Sequence, residues 1–194
     1  PVKEKVQDIQ RAGRNLMGVV SDILDFSELQ SGEIELEEEA YNISSTINDV
    51  INMALAYKNE KKIELIVDCD PNIPGELLGD EKKLRRVILK LMNNAIKFTE
   101  TGCVTLSIGY RKENYGINLS VTIKDTGIGI PAIHKDRIFE RFYRVDKSHS
   151  KASGGTGLGL SIVKHAVQYH HGKIALESEP NKGTTISVLF DTSV

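Results

Sequence analysis

From Val2 to Gln30 the apolar residues fall mainly three or four positions apart: Val2, Ile9, Ala12, Leu16, Val19, Ile23 and Phe26. This is the period of one amphipathic helix with a heptad-like seam, and Gln, Asp, Arg and Asn occupy its other faces. Gly13 and Gly18 weaken it, each by about 1 kcal/mol relative to Ala. A single helix with such a stripe has nothing of its own to pack against, so residues 2–30 are expected to seek a second helix. Ser31-Gly32 ends the pattern. Glu33, Glu35, Glu37, Glu38 and Glu39 then crowd a short stretch in which Ile34 and Leu36 alternate, which reads as a solvated linker with a short edge strand.

From Tyr41 onward the helical period alternates with strand-like runs. Ser45 to Tyr57 reads as a helix with Ile47, Val50, Ile51, Ala54 and Leu55 apolar, and Ile63 to Val67 as a strand. Pro71 to Gly75 is a loop. Asp80 caps a helix running to about Phe98, with Leu84, Val87, Ile88, Leu91, Ala95 and Phe98 on its apolar face. Val104 to Tyr110 and Ile117 to Lys124 read as strands joined by the turn Asn114-Tyr115-Gly116. Leu160 to Tyr169 is a helix, and Lys173 to Ser178 and Thr185 to Phe190 are the last strands. The 194 residues suit one domain with an appended element. Aromatic residues make up 6% and Trp is absent, so the core must be mainly aliphatic.

Charge and cysteine content narrow the function. A net charge of −2 argues against the bulk electrostatics of a nucleic-acid binder. No apolar run approaches the roughly 18 residues of a membrane span. Cys69 and Cys103 have no CxxC context and no neighbouring His, so they are expected as buried, reduced thiols of a cytoplasmic protein.

Four segments carry chemistry. Asp125-Thr126-Gly127-Ile128-Gly129-Ile130-Pro131 follows a strand, and its alternate glycines allow close backbone approach to a ligand. Taken alone, it also suits an ordinary turn. Gly154-Gly155-Thr156-Gly157-Leu158-Gly159-Leu160 precedes a helix, where stacked N–H groups make an anion site or a hinge. It lacks the Lys-Ser/Thr pair of a Walker loop. Lys90, Asn94 and Lys97 share one helix face at i, i+4 and i+7. An Asn oxygen can ligate Mg²⁺ and a Lys can meet phosphate, although a solvated stripe has the same pattern. Phe139-Glu140-Arg141-Phe142-Tyr143-Arg144 joins aromatic bulk to a permanent cation, and the polar stretch after it, about 146 to 155, suits a mobile lid.

Their order is more specific than any one of them. "MNNAIKFTETG", "DTGIGIP", "IFERFYRVD" and "GGTGLGLSIVKH" resemble the N, G1, F and G2 boxes of sensor histidine kinases of two-component systems. These kinases belong to the superfamily shared with gyrase B, Hsp90 and MutL. "NKGTTISV" is similar to the family's last glycine-threonine motif, and "LMGVVSDILDFSELQSGEIELE" resembles the second helix of the dimerisation and phosphotransfer hairpin running into its linker.

The resemblance implies a two-layer α/β sandwich of Bergerat type, with a mixed sheet of about five strands and helices on one face. It divides the chain into a hairpin helix (1–31), a linker (32–40) and an ATP-binding catalytic domain (41–194). It implies Asn94 as Mg²⁺ ligand, Lys97 on the phosphates and Phe98 beside the base or ribose. Asp125 is implied to accept from the adenine amine, with Gly127, Gly129 and Ile130 shaping the pocket. Arg144 is implied to contact the phosphate tail and assist transfer, with Lys97 as its catalytic companion. Gly155, Thr156, Gly157, Leu158 and Gly159 are implied to border the triphosphate. Thr184 or Thr185 would help fix adenine, and Thr185 is carried forward. The implied partners are ATP, the kinase's own hairpin histidine helix and a response-regulator receiver domain, in a homodimeric full-length protein whose parent is cytoplasmic or membrane-anchored.

Two features depart from the family pattern. None of His134, His149, His165, His170 and His171 stands in an acceptor motif of the H-E/D-x-x-T-P kind, so the first hairpin helix is expected outside this sequence. His134 is read as a loop residue. Lys90 stands where many members have Asn, and where related ATPases place a water-activating Glu. A cation cannot do that work, which disfavours an efficient hydrolase. Lys90 supports one alternative, a regulatory module that binds ATP without transferring phosphate; a second alternative, an ATPase or serine kinase of the same superfamily, is opposed by the hairpin-like residues 2–30. With nucleotide bound, the Lys90 ammonium is expected to turn inward toward the phosphates.

Overall fold

The computed structural model describes residues 2–31, 37–59, 61–113, 116–145 and 156–192. The acidic residues 33–36, the turn residues 114 and 115, and the expected lid with Gly154 and Gly155 lie outside these.

The long N-terminal helix is α1 (Val2–Ser31). It is followed by β1 (Glu39–Asn42), α2 (Ile43–Lys58), β2 (Ile63–Cys69), β3 (Glu76–Gly79), α3 (Glu81–Phe98), β4 (Gly102–Glu113) and β5 (Gly116–Asp125). The short α4 (Ala132–Lys135), then α5 (Gly159–Tyr169), β6 (Lys173–Glu179) and β7 (Gly183–Thr192) complete the described elements. His134 therefore sits on a helical turn rather than in the loop expected for it, because the backbone after Pro131 coils at once: the His134 N–H bonds back to the Pro131 carbonyl.

Five strands form a mixed sheet in the order β2-β4-β5-β7-β6, parallel only between β2 and β4. The single parallel pair needs a crossover, and α3 lies within it. Along β4, β5 and β7 alternate residues are buried on one face: Val104, Leu106 and Ile108; Leu119, Val121 and Ile123; Ile186, Val188 and Phe190. Helices α2, α3 and α5 cover that face and share one aliphatic core with it. The other face is polar, and Thr122 and Ser187 hydrogen-bond across it at 3.0 Å. This is the expected two-layer sandwich.

Three details differ from the sequence reading. β1 and β3 pair as a separate antiparallel ribbon, with Glu39 opposite Gly79. Phe98 is not part of the buried face of α3 but is exposed at its end, while Met92 and Ile96 are buried instead. Both cysteines are free, but Cys69 is exposed and Cys103 half-buried, because Cys69 ends an edge strand whose outer half faces solvent.

Both ends of α3 are fixed by side chains. Asp80 caps the N-terminus by accepting from the Lys83 N–H at 2.9 Å. At the other end Lys61 Nζ donates to the carbonyls of Ile96, Lys97 and Thr99 at 2.9, 2.9 and 3.1 Å. These carbonyls belong to the last turn and the residue beyond it, where a cation also complements the helix dipole. Lys61→Met leaves the carbonyls without these donors. Its expected effect is a loss of about 1.5–3 kcal/mol, read as a shifted urea midpoint. An unshifted midpoint would show that water replaces the ammonium at no cost.

Candidate functional site

The site lies between the helices and the sheet, at the end where β5 stops and α3 and α5 meet. Asp125, the last residue of β5, is only 7% exposed. Its Oδ1 accepts from the Gly127 N–H at 2.8 Å and the Thr184 N–H at 3.3 Å. Burial pushes its carboxyl above the ordinary value, and those two bonds only partly offset this. The raised value means that Asp125 favours the native state at low pH. That contribution is lost as pH rises through the raised value, so at neutral pH the buried charge opposes folding.

The loop after β5 is anchored on the sheet. Gly129 has φ +66°, and a Cβ there would overlap the Glu179 carbonyl. Only glycine satisfies both conditions. The Ile130 N–H donates to Ser178 Oγ at 2.8 Å, and Ser178 Oγ lies 3.0 Å from Thr184 Oγ1. Thr184, not Thr185, is the threonine beside Asp125. The register sets Asp125 opposite Thr184 and Lys124 opposite Thr185, so strand alternation turns Thr185 toward the polar face. Ser178 was missed by the sequence reading. Alternation along β7 would have separated Thr184 from Thr185, whereas nothing in the sequence singles out Ser178.

The other end of the cleft is cationic. Asn94 and Lys97 project from α3, and a Cβ on Gly159 would come 3.9 Å from Asn94 Nδ2, so the amide faces the start of α5. Lys97 Nζ lies 5.3 Å from the centre of the Phe98 ring. Burial and the neighbouring Arg144 lower the Lys97 ammonium from its ordinary value, while Asp22 of α1 opposes the shift. Two cations and one carboxylate thus share this end. The N-terminus of α5, at Gly159, has no side-chain cap, so its first helical amides are available to an anion. Leu158 itself is buried, and its N–H donates to Thr156 Oγ1 at 3.2 Å.

A backbone clamp joins the second glycine loop to the aromatic segment. Gly157 has φ +75°, and a Cβ there would lie 2.8 Å from the Phe142 carbonyl carbon. The Phe142 N–H donates to the Gly157 carbonyl at 3.0 Å. Phe142 itself has φ +61°, a costly conformation for a bulky residue. The next residue, Tyr143, is held at both its hydroxyl and its ring. Its Oη lies 2.6 Å from His134 Nδ1, and the Arg137 guanidinium sits 4.3 Å from the ring centre. This fixes the backbone that carries Arg144.

Lys90 turns to α1 in this structure. Its Nζ donates to Asp22 Oδ1 at 2.7 Å and lies 2.9 Å from Asp25 Oδ2, both on α1. The second contact is an ion pair without hydrogen-bond alignment. Without nucleotide, carboxylates supplied by α1 hold the ammonium; the inward turn expected with nucleotide bound concerns a different state.

The cleft can do two chemically distinct things. One end offers a buried carboxylate to a donor on a flat base, and the other offers cations, an amide and a helix N-terminus to an anionic tail. Among the described residues no group of three or more His, Cys, Asp or Glu forms a metal cluster. A divalent ion here would take Asn94 Oδ1 and otherwise oxygens of the bound tail, which suits Mg²⁺.

A two-layer sandwich with such a cleft defines a nucleotide-binding domain, and the comparisons identify its family. Residues 79–194 match the family described as histidine kinase-, DNA gyrase B- and HSP90-like ATPase. The chain belongs to that family, as an ATP-binding catalytic domain of the sensor histidine kinase type. It is 36% identical over 184 residues to the signal transduction histidine-protein kinase BarA of Escherichia coli, covering 94% of this chain and 20% of that protein. It is 38% identical to the hybrid signal transduction protein dokA of Dictyostelium discoideum, covering 99% of this chain and 12% of that protein. The chain thus spans a fifth or less of the length of these curated relatives. Full-length ShkA, solved in complex with AMPPNP, superposes with a TM-score of 0.81 at 28% identity, over 99% of this chain and 39% of that one. No described helix is long and apolar enough to cross a membrane.

Asp125→Asn keeps both backbone bonds to the side-chain oxygen and removes the buried charge. It is expected to raise the melting temperature at pH 7 by about 2 °C, with the gain vanishing as the pH falls into the carboxylate range. Calorimetric scans across pH check the sign. A lower melting temperature at neutral pH would refute it.

Proposed function

We propose that this chain binds ATP with Mg²⁺ and transfers the γ-phosphate to a histidine on a hairpin helix outside this sequence, for relay to a response-regulator aspartate. The observation that carries the reading is the two-ended cleft, with buried Asp125 at one end and Asn94, Lys97 and Arg144 beside an uncapped helix N-terminus at the other. Residues 1–31 are read as the second hairpin helix, 32–40 as the linker and 41–194 as the catalytic domain.

Asp125 would accept from the adenine amine, while Gly127, Gly129, Ile130 and Thr184 shape the base pocket. Asn94 would ligate the metal ion, and Phe98 would border the base or ribose. Lys97 and the loop from Gly155 through Thr156, Gly157, Leu158 and Gly159 would hold the phosphates. Bound Mg²⁺ would neutralise charge on adjacent phosphate oxygens. Arg144 would stabilise charge on the transferring group. Phosphoryl transfer needs mainly this positioning and neutralisation. The contacts of Lys90 with α1 supply no reason for the domain to have lost transfer, so kinase activity is favoured over a non-transferring module.

Incubating the chain with labelled ATP, Mg²⁺ and a separate hairpin bearing the acceptor motif tests this. Acid-labile, base-stable phosphate is expected on the hairpin and none on this chain alone. Nucleotide binding without transfer would support the regulatory alternative. In the same system Asp125→Asn should weaken ATP binding at least tenfold through loss of a charge-assisted hydrogen bond. Tyr143→Phe should lower the transfer rate three- to tenfold, on the order of 1 kcal/mol, with nucleotide affinity within about twofold. Equal losses in rate and affinity would show that Tyr143 supports the whole pocket rather than Arg144.

A further inference from the structure

Asp22 on α1 lies in the phosphate end of the cleft. One carboxylate oxygen accepts from Lys90 Nζ at 2.7 Å. The other accepts from Thr156 Oγ1 at 2.5 Å. Thr156 belongs to the glycine loop read as bordering the triphosphate. The same carboxylate is close enough to Lys97 to act on its titration, against the effect of Arg144. One anionic side chain therefore faces Lys90 and Lys97 on α3 and the hydroxyl of the second glycine loop.

The neighbouring contacts show how α1 is held there. Asp25 is buried, 2.9 Å from Arg86 Nη1 and 2.9 Å from Lys90 Nζ. Arg86 and Lys90 are one turn apart on α3, and Asp22 and Asp25 are three residues apart on α1. The contact is a pairing of two anions with two cations, and α1 also packs on α5. Asp25 has Arg86 as a second partner, so this pair can persist when Asp22 leaves. Three residues of the apolar seam of α1 remain largely open to solvent. Ile9, Leu16 and Ile23 are 71, 64 and 53% exposed. Ion pairs are thus a main part of the docking, and a competing anion acts directly on them.

We infer that Asp22 is a specificity-determining residue of the nucleotide site: its carboxylate, held between Lys90 and Thr156, opposes a terminal phosphate, so that docked α1 penalises a triphosphate more than a diphosphate. The inference rests on the ATP reading above. Its physical basis is that two anions cannot share the same donors without a cost. A diphosphate that ends short of Thr156 leaves the Asp22 contacts intact. A triphosphate that reaches Thr156 and Lys97 displaces them and frees this edge of α1.

Calorimetry of the whole chain with Mg²⁺ and either a non-hydrolysable ATP analogue or ADP tests the inference. In Asp22→Asn the analogue is expected to bind about tenfold more tightly than in the wild type, and ADP less than twofold more tightly. Asp22→Glu, which keeps the charge, should retain the wild-type ratio. Nitroxide labels on exposed Ala12 of α1 and exposed Lys173 of β6 give a second readout that needs no Asp22 variant. Their separation should increase with the analogue and stay unchanged with ADP. An unchanged analogue-to-ADP ratio in Asp22→Asn, or a label separation unaffected by saturating analogue, overturns the inference while the ATP reading stands. Failure of the wild type to bind either nucleotide overturns the ATP reading and this inference with it.

Discussion

The packing of α3 on β4 and β5 is the contact on which everything else rests. Leu84, Val87, Ile88, Leu91, Met92, Ala95 and Ile96 are all buried on one side of this helix. Its opposite side carries Arg86, Lys90, Asn94 and Lys97, the groups that meet α1 and the cleft. The same helix is therefore both the largest apolar contributor to the core and the mount for the polar chemistry. Side-chain bonds at both ends, from Asp80 and Lys61, oppose fraying. Because Asn94 and Lys97 lie within the last two turns, Lys61 acts on their geometry through the backbone.

The two ends of the cleft are built differently. The base end is fixed by strand pairing, with Asp125, Thr184, Ser178 and the Ile130 amide tied into one set of hydrogen bonds. The phosphate end is assembled from α3, α5, the Phe142–Gly157 clamp and a side chain from α1. On the proposed reading, the rigid end would select the base, and the end built of separate elements could change with the ligand's charge.

Long periodic segments were the legible part of the fold. Helices α3 and α5 and strands β4 and β5 were read within a few residues, because a buried face imposes a period that local sequence carries. The β1–β3 ribbon was not legible. Each strand has four residues, and their pairing depends on a contact across α2 and β2 that no local pattern reports. The glycine boxes were legible because close backbone approach demands glycine at fixed spacing. Which of Thr184 and Thr185 lies beside Asp125 was not legible, because strand register, invisible in a single sequence, decides which face a side chain takes. The ion pairs of Lys90 were illegible for a related reason. Its partner Asp22 lies 68 residues away, and only the docking of α1 brings them together.

The register between β5 and β7 has a kinetic side. Nine residue pairs run from Ile117 opposite Thr192 to Asp125 opposite Thr184, in the middle of the sheet. Asp125 and Thr184 form the end pair of this ladder, and the interior pairs behind it hold the two strands in register, so exchange of those interior amides should require near-global unfolding. The contacts of Asp22 cross no strand ladder, so they can open without disturbing it. On the proposed reading, base recognition would thus draw on the strand pairing of the sheet, whereas the phosphate end could open locally. A destabilising mutation elsewhere in the core would leave the bound state's base selectivity intact while shortening the lifetime of the folded site.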